Sequence, residues 1–423
     1  MKNPKNETKD SDEPDLKKFQ KKIDYVSWIV FLFSLSLVLT SLVSVVFPTL
    51  IASNNSTLSE LEELGISIFE VNPFEVGVWA GPLLATSIIV FTLTILYFKK
   101  KLPKSLTKLF EFIFTFEISK KTALITIVVI LAIYIGFSAQ ELTVEEEWED
   151  YPGVKQRVLN WSPEQVTRGF EPHVKYFFLW ASMKLFGYFT VLPFIASISL
   201  LLLTYFFTAK ISKKRFAGVV SMVILLQSNL FLTYDTTVAY SNFWILFYLL
   251  SLFLIYKAWP LSPVSFLLSI PSKAITASFL PLSLFFIFRS EISKRRKIII
   301  ASATSGIILV GILVSAGTGV SGTEGQEEFD SNEFWLGFAS FSYQLRFDGL
   351  VLVFILPLIV GLFIASRHKI LHAESIMILI SGMLLISPIL TGFTEFTNQP
   401  YRWVPLVVFF AVGIGILLSK KQV

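Results

Sequence analysis

Between residues 141 and 153 the chain reads Glu141-Leu142-Thr143-Val144-Glu145-Glu146-Glu147-Trp148-Glu149-Asp150-Tyr151-Pro152-Gly153. Five of the six positions from Glu145 to Asp150 carry carboxylates. Groups packed this closely cannot all ionise cheaply unless water or cations lie among them, so at least one is expected to keep its proton more tightly than usual. Such a group can take a proton from a hydroxyl, and an ionised pair can hold a hard divalent cation. The same composition also describes a solvated acidic rim with no chemical role.

A second stretch follows at Arg168-Gly169-Phe170-Glu171-Pro172-His173-Val174-Lys175-Tyr176, leading into Trp180, Lys184, Phe186 and Gly187. Arg168, His173 and Lys175 fall within eight residues and would suit a phosphate or an anionic headgroup. They would equally serve as interfacial anchors, since Lys and Arg near helix ends ordinarily reach for headgroups. The chain has no cysteine, which excludes disulfides, thiolate chemistry and Cys-type zinc sites. No histidine spacing points to a transition metal.

The elements that must position these residues are written in hydropathy. Of the 423 residues, 53% are hydrophobic and 16% charged, and the mean hydropathy is +0.66. A soluble domain of this size could not bury that much apolar surface, so lipid must cover it. Stretches long enough to span occur at 25–51, 77–98, 121–139, 190–208, 216–233, 241–257, 298–316, 349–366, 374–392 and 402–418. The net charge of +5 comes from Lys and Arg in short runs between these stretches, which reads as a topology signal and not as a nucleic-acid surface.

The runs at 17–22, 99–108, 213–215, 294–297, 367–369 and 420–421 all fall on one side if the N-terminus is cytoplasmic. That agreement requires 262–289 to enter and leave from the same side. Read as one straight span it would bury Lys273 near mid-bilayer, at roughly 2.5–3.5 kcal/mol on insertion scales. A broken hairpin with Pro271-Ser272-Lys273 at its tip avoids that cost. Lys273 then lines a cavity open to the outside. The expected organisation is a disordered cytoplasmic tail at 1–24, an N-terminal membrane hairpin with a cytoplasmic amphipathic helix at 25–120, a main membrane domain at 121–418 and a cytoplasmic tail at 419–423. External segments lie at 52–76, 140–189 and 317–348, and His173 is the single external histidine, because His368 and His372 fall in a cytoplasmic loop. The expectation is an all-α, polytopic helical protein of the plasma membrane, with about 11–13 transmembrane segments including the hairpin.

Taken together, Glu171-Pro172-His173 through Phe186-Gly187 resembles a segment of the GT-C-type polyprenyl-phosphate-dependent glycosyltransferases, among them the protein mannosyltransferases and aminoarabinose transferases. There the segment follows the first long external loop, commonly as His-Pro-Pro, aromatics and Leu-Phe-Gly; here the order is Pro-His. Ile270-Pro271-Ser272-Lys273-Ala274 with Pro281 is similar to that family's re-entrant turn. Tyr401-Arg402-Trp403-Val404-Pro405 resembles the start of its last helix, and Tyr234-Asp235 falls where it keeps polar residues near the active site. The resemblance covers 121–418.

It implies a GT-C-like fold and transfer of a sugar from a polyprenyl-phosphate donor to an external lipid, glycan or protein acceptor. A loop carboxylate would be the general base, at Asp150, Glu149 or Glu147. The donor phosphate would meet Arg168, Lys175, Lys273 and Arg402, while Glu171, His173, Asp235 and Tyr401 complete the pocket. The resemblance specifies no cofactor, and the acidic loop is a candidate site for a divalent cation. The competing expectation is a transporter or flippase of a lipid-linked or anionic substrate, with Lys273 in a midplane site. A lipid-linked polymerase or ligase would instead call for arginines in the loop, where acids outnumber them.

Overall fold

The computed structural model describes residues 13–48, 50, 74–164, 172–317, 329–345, 348–370, 372–393 and 400–419. Among these the chain is all helical, with no strand. Helix α1 runs Glu13–Val46, α2 Ala80–Phe98, α3 Lys104–Thr115 and α4 Lys120–Ser138. Within the stretch expected as a tail at 1–24, positions 1–12 lie outside the described residues, and α1 already runs through 13–24 before its apolar part begins, where Pro14 and Asp15 suit the first turn of a helix. Two short helices follow on the acidic side, α5 (Tyr151–Leu159) and α6 (His173–Phe186). The central helices are α7 (Val191–Ser212), α8 (Arg215–Leu226), α9 (Asn229–Thr233) and α10 (Phe243–Lys257). Next come α11 (Ser262–Ser269), α12 (Leu280–Arg289), α13 (Lys294–Gly317), α14 (Ser331–Gln344), α15 (Gly349–Arg367), α16 (Ala373–Phe393) and α17 (Val404–Leu417).

Among the described residues, seven segments are long and apolar enough to cross a membrane: Tyr25–Val46, Ala80–Phe98, Lys120–Thr143, Val191–Ser212, Gly349–Arg367, Ala373–Phe393 and Pro400–Leu417. Arg215–Leu226, Phe243–Lys257 and Ala274–Arg289 are apolar but shorter. The protein is thus a membrane-embedded helical bundle. Its helices approach through small residues, as hydrocarbon solvent demands, since lipid tails leave no hydrophobic drive between helices. Ser27, Ser34 and Ser41 repeat every seven residues on α1, and all three are buried where α1 packs on α14, α15 and α16. Gly415 lets α17 settle against Thr208 of α7 and Ser221 of α8, with no space left for a Cβ. Of the seven, α17 is the most enclosed.

The stretch expected as one span at 216–233 is two helices, α8 and α9. Ser228 breaks it by capping α9: its hydroxyl accepts from the Phe231 N–H at 3.0 Å and donates to the Asp348 carboxylate. The stretch at 262–289 is broken as the placement of Lys273 demands. Helix α11 returns along α10, with the Ser265 hydroxyl donating to the Phe247 carbonyl at 2.7 Å. The turn at 270–273 meets α6, where the Val174 N–H donates to the Pro271 carbonyl at 3.1 Å. Helix α12 then descends to Arg289, which pairs with buried Glu374 of α16.

Basic residues gather at the end away from the acidic loop. Lys213 pairs with Glu291 at 3.4 Å, and Lys214 donates to the Phe114 carbonyl at 2.8 Å. Arg215 reaches the Ile118 carbonyl at 3.2 Å, and Phe98 stacks on His368. Helix α3 lies here with none of its residues buried, as an in-plane amphipathic helix would.

Candidate functional site at the acidic loop

The loop after α4 is fixed at its base. The Thr190 hydroxyl donates to the Leu142 carbonyl at 2.6 Å, and the Thr236 hydroxyl donates to Glu141 at 3.1 Å. Its acids then separate by environment. Exposed Glu145 pairs with Lys155 at 2.6 Å, which holds its carboxyl below the usual range. Glu146 turns inward. One of its oxygens accepts from the Val238 N–H and the other from the Ala239 N–H at 3.2 Å. Burial pushes its carboxyl up, while those two donors and Lys175 pull it back.

Glu147, Glu149 and Asp150 remain exposed. Of these three, Asp150 is held in place: its carboxylate accepts from the Tyr240 hydroxyl at 2.8 Å. The Tyr240 ring stacks on Tyr401 with centroids 4.3 Å apart and planes 16° from parallel. Lys273, at the hairpin tip, donates to the Tyr401 hydroxyl at 2.6 Å and lies over its ring at 4.5 Å. Arg402 Nε reaches the same hydroxyl at 3.4 Å. Asp150, Lys273, Tyr401 and Arg402 are thus joined by one chain of contacts running through Tyr240. Burial, then the bond to Asp150, raises the Tyr240 hydroxyl well above the ordinary phenol range, so it stays a donor.

Two further aromatics close the group. Trp148 stacks on Tyr234 at 5.6 Å and meets Tyr240 edge-on at 5.5 Å. Tyr234 stands edge-on to Tyr401 at 6.0 Å. Four rings from the acidic loop, the α9–α10 turn and the start of α17 therefore meet beside Asp150 and Lys273.

The other expected residues sit differently. Lys175 is 9% exposed and donates to the Ala239 carbonyl, one layer behind the rings. Burial, and next the charge of Lys273, bring its amine down to about 7. His173 opens α6 with its ring edge-on to Tyr176 at 6.5 Å. Asp235 is 1% exposed and lies beneath the site. Its Oδ2 accepts from the Tyr134 hydroxyl at 2.6 Å and the Ser138 hydroxyl at 3.1 Å, while Oδ1 is buried with no partner among the described residues. Arg168 and Glu171 lie outside the described residues.

No three His, Asp or Glu side chains stand together among the described residues. A divalent cation at the acidic loop would therefore draw most of its ligands from water and substrate oxygens, as magnesium commonly does. Sequence reasoning missed Trp148, Tyr234 and Tyr240 as members of one group. The signal was present in the tyrosines that bracket Asp235 six positions apart, but nothing local said that they face Tyr401. No family model, curated protein or solved structure matches the chain.

Proposed function

We propose that the protein is a membrane glycosyltransferase of GT-C-like architecture, moving a sugar from a polyprenyl-phosphate donor to an external lipid, glycan or protein acceptor. In this reading the shorter helices and the hairpin complete about 11–13 membrane segments. The basic end and both termini are cytoplasmic, and the membrane is the plasma membrane. The observation that carries the proposal is the contact chain from Asp150 through Tyr240 and Tyr401 to Lys273, with Arg402 beside it.

Direct displacement at an anomeric carbon needs a base on one side, cations on the departing phosphate and a site that limits water. Asp150 takes the proton from the acceptor hydroxyl as that oxygen bonds to the anomeric carbon. The bond from that carbon to the phosphate oxygen breaks, and the leaving polyprenyl phosphate carries its charge to Lys273 and Arg402. The stacked tyrosines hold base and cations at a fixed separation. Glu149 and Glu147, exposed beside Asp150, are second choices for the base. A carrier would also use a broken hairpin, but Lys273 here shares its end of the bundle with the acidic loop.

The test is transfer of labelled hexose from polyprenyl-phosphate donors in membranes, comparing wild type with Asp150→Asn, Glu149→Gln and Glu147→Gln. Asp150→Asn should lower transfer by about 10²–10⁴, the usual contribution of a general base. Undiminished transfer in all three variants would remove the loop from catalysis.

A further inference from the structure

The peptide that precedes Tyr240 is held from two sides. On one, both oxygens of Glu146 accept consecutive backbone N–H groups, those of Val238 and Ala239. On the other, the ammonium of Lys175 donates to the Ala239 carbonyl. These partners come from three separate segments: the acidic loop, α6 and the α9–α10 turn. Acids flanking an aromatic cluster need no such arrangement, and a lysine serving a phosphate would not be spent on a backbone carbonyl in a buried layer. The next residue is Tyr240, whose hydroxyl holds Asp150 and whose ring lies on Tyr401.

We infer that Glu146 and Lys175 form a clamp on residues 238–239 that sets Tyr240, and through it the placement of Asp150. Both are positioning residues: Glu146 is not part of an acidic rim, and Lys175 is not a phosphate ligand. The bearing on catalysis rests on the function proposed above, whereas the clamp itself rests on the geometry alone.

The clamp has a built-in dependence on pH. Four charged groups face Lys175: Lys273 from the hairpin, Glu146 and Asp150 from the loop, and Arg157 from α5. Burial does most to lower its amine, Lys273 and Arg157 add to that, and the two acids oppose it, which leaves the amine at about 7. Below that point Lys175 is charged, bonds the carbonyl strongly and offsets the part-buried charge of Glu146. Above it the amine is neutral, the bond weakens, and Tyr240 is held from one side only. An arginine stays charged throughout.

Two measurements on the full-length protein test this. Amide hydrogen exchange over 236–240, without substrate, should rise at least tenfold in Glu146→Gln, whose single amide oxygen replaces two acceptors, and stay at the wild-type level in Glu147→Gln and Glu149→Gln. Transfer by wild type should fall as pH rises through about 7, and Lys175→Arg should move that fall upward by more than one pH unit. Unchanged exchange in Glu146→Gln, or an unmoved alkaline limb in Lys175→Arg, overturns the clamp. Because the exchange measurement needs no substrate, it upholds or rejects the clamp even where wild type transfers no sugar, a result that would count against the proposed function alone.

Discussion

At the scale of single residues, what a group does here is set by how deeply it sits. Asp235 is one position from Tyr234, yet it is a buried anchor: Tyr134 and Ser138 hold its carboxyl, and the Ser197 hydroxyl donates to its backbone carbonyl at 2.7 Å. Burial is the first cause that lifts its carboxyl from 3.8 to about 6, against the bond from Tyr134. The folded protein therefore keeps a proton that the unfolded chain releases. The stability this contributes is complete below about 4 and is lost as pH rises through about 6. Thermal midpoints in detergent should fall across that window in wild type, and the fall should vanish in Asp235→Asn, which keeps an acceptor for both hydroxyls. Tyr240→Phe removes the one donor that Asp150 has among the described residues. Hydrogen bonds to charged groups are worth about 1.5–3 kcal/mol, so transfer should drop by roughly ten- to a hundredfold while thermal stability changes little.

At the scale of elements, the hairpin was legible in the sequence and the break between α8 and α9 was not. Pro271 and Lys273 could not lie in hydrocarbon, and the charge runs on either side had to share one face, so two half-helices were the remaining solution. The break at Ser228 depends on Asp348, 120 positions further on, and no local pattern announces it. The hairpin's descending arm is fastened at the basic end by Arg289 to Glu374, which also accepts from Ser27 of α1. Arg289→Ala leaves a buried carboxylate unpaired, a loss of roughly 3–5 kcal/mol for fully buried pairs. Arg289 keeps 30% of its side chain exposed, so the fall in thermal stability should lie at the low end of that range. Adding Glu374→Gln should recover part of it.

At the scale of the whole molecule, most helix bounds were readable to within a few residues because each helix is paid for by the transfer of a continuous apolar stretch into lipid. The aromatic group was not readable, since Trp148, Tyr234, Tyr240 and Tyr401 belong to three segments that only the closed bundle unites. Among the described residues, basic side chains collect at the end opposite the acidic loop, and the proposed topology, with that end cytoplasmic as the positive-inside rule would have it, is open to direct test. The chain lacks cysteine, so single introduced thiols report cleanly. In intact cells an impermeant maleimide should label Glu149→Cys and leave Lys294→Cys unlabelled until the membrane is opened.

In the proposed mechanism the two ends of one contact chain have different tasks: Asp150 activates the acceptor, and Lys273 with Arg402 holds the donor phosphate. Equilibrium binding of a polyprenyl-phosphate hexose to purified protein separates them. Asp150→Asn should bind the donor with the wild-type Kd while its transfer falls by about 10²–10⁴, and Lys273→Met should weaken binding at least tenfold. Wild-type donor affinity in Lys273→Met and Arg402→Met alike would contradict the account.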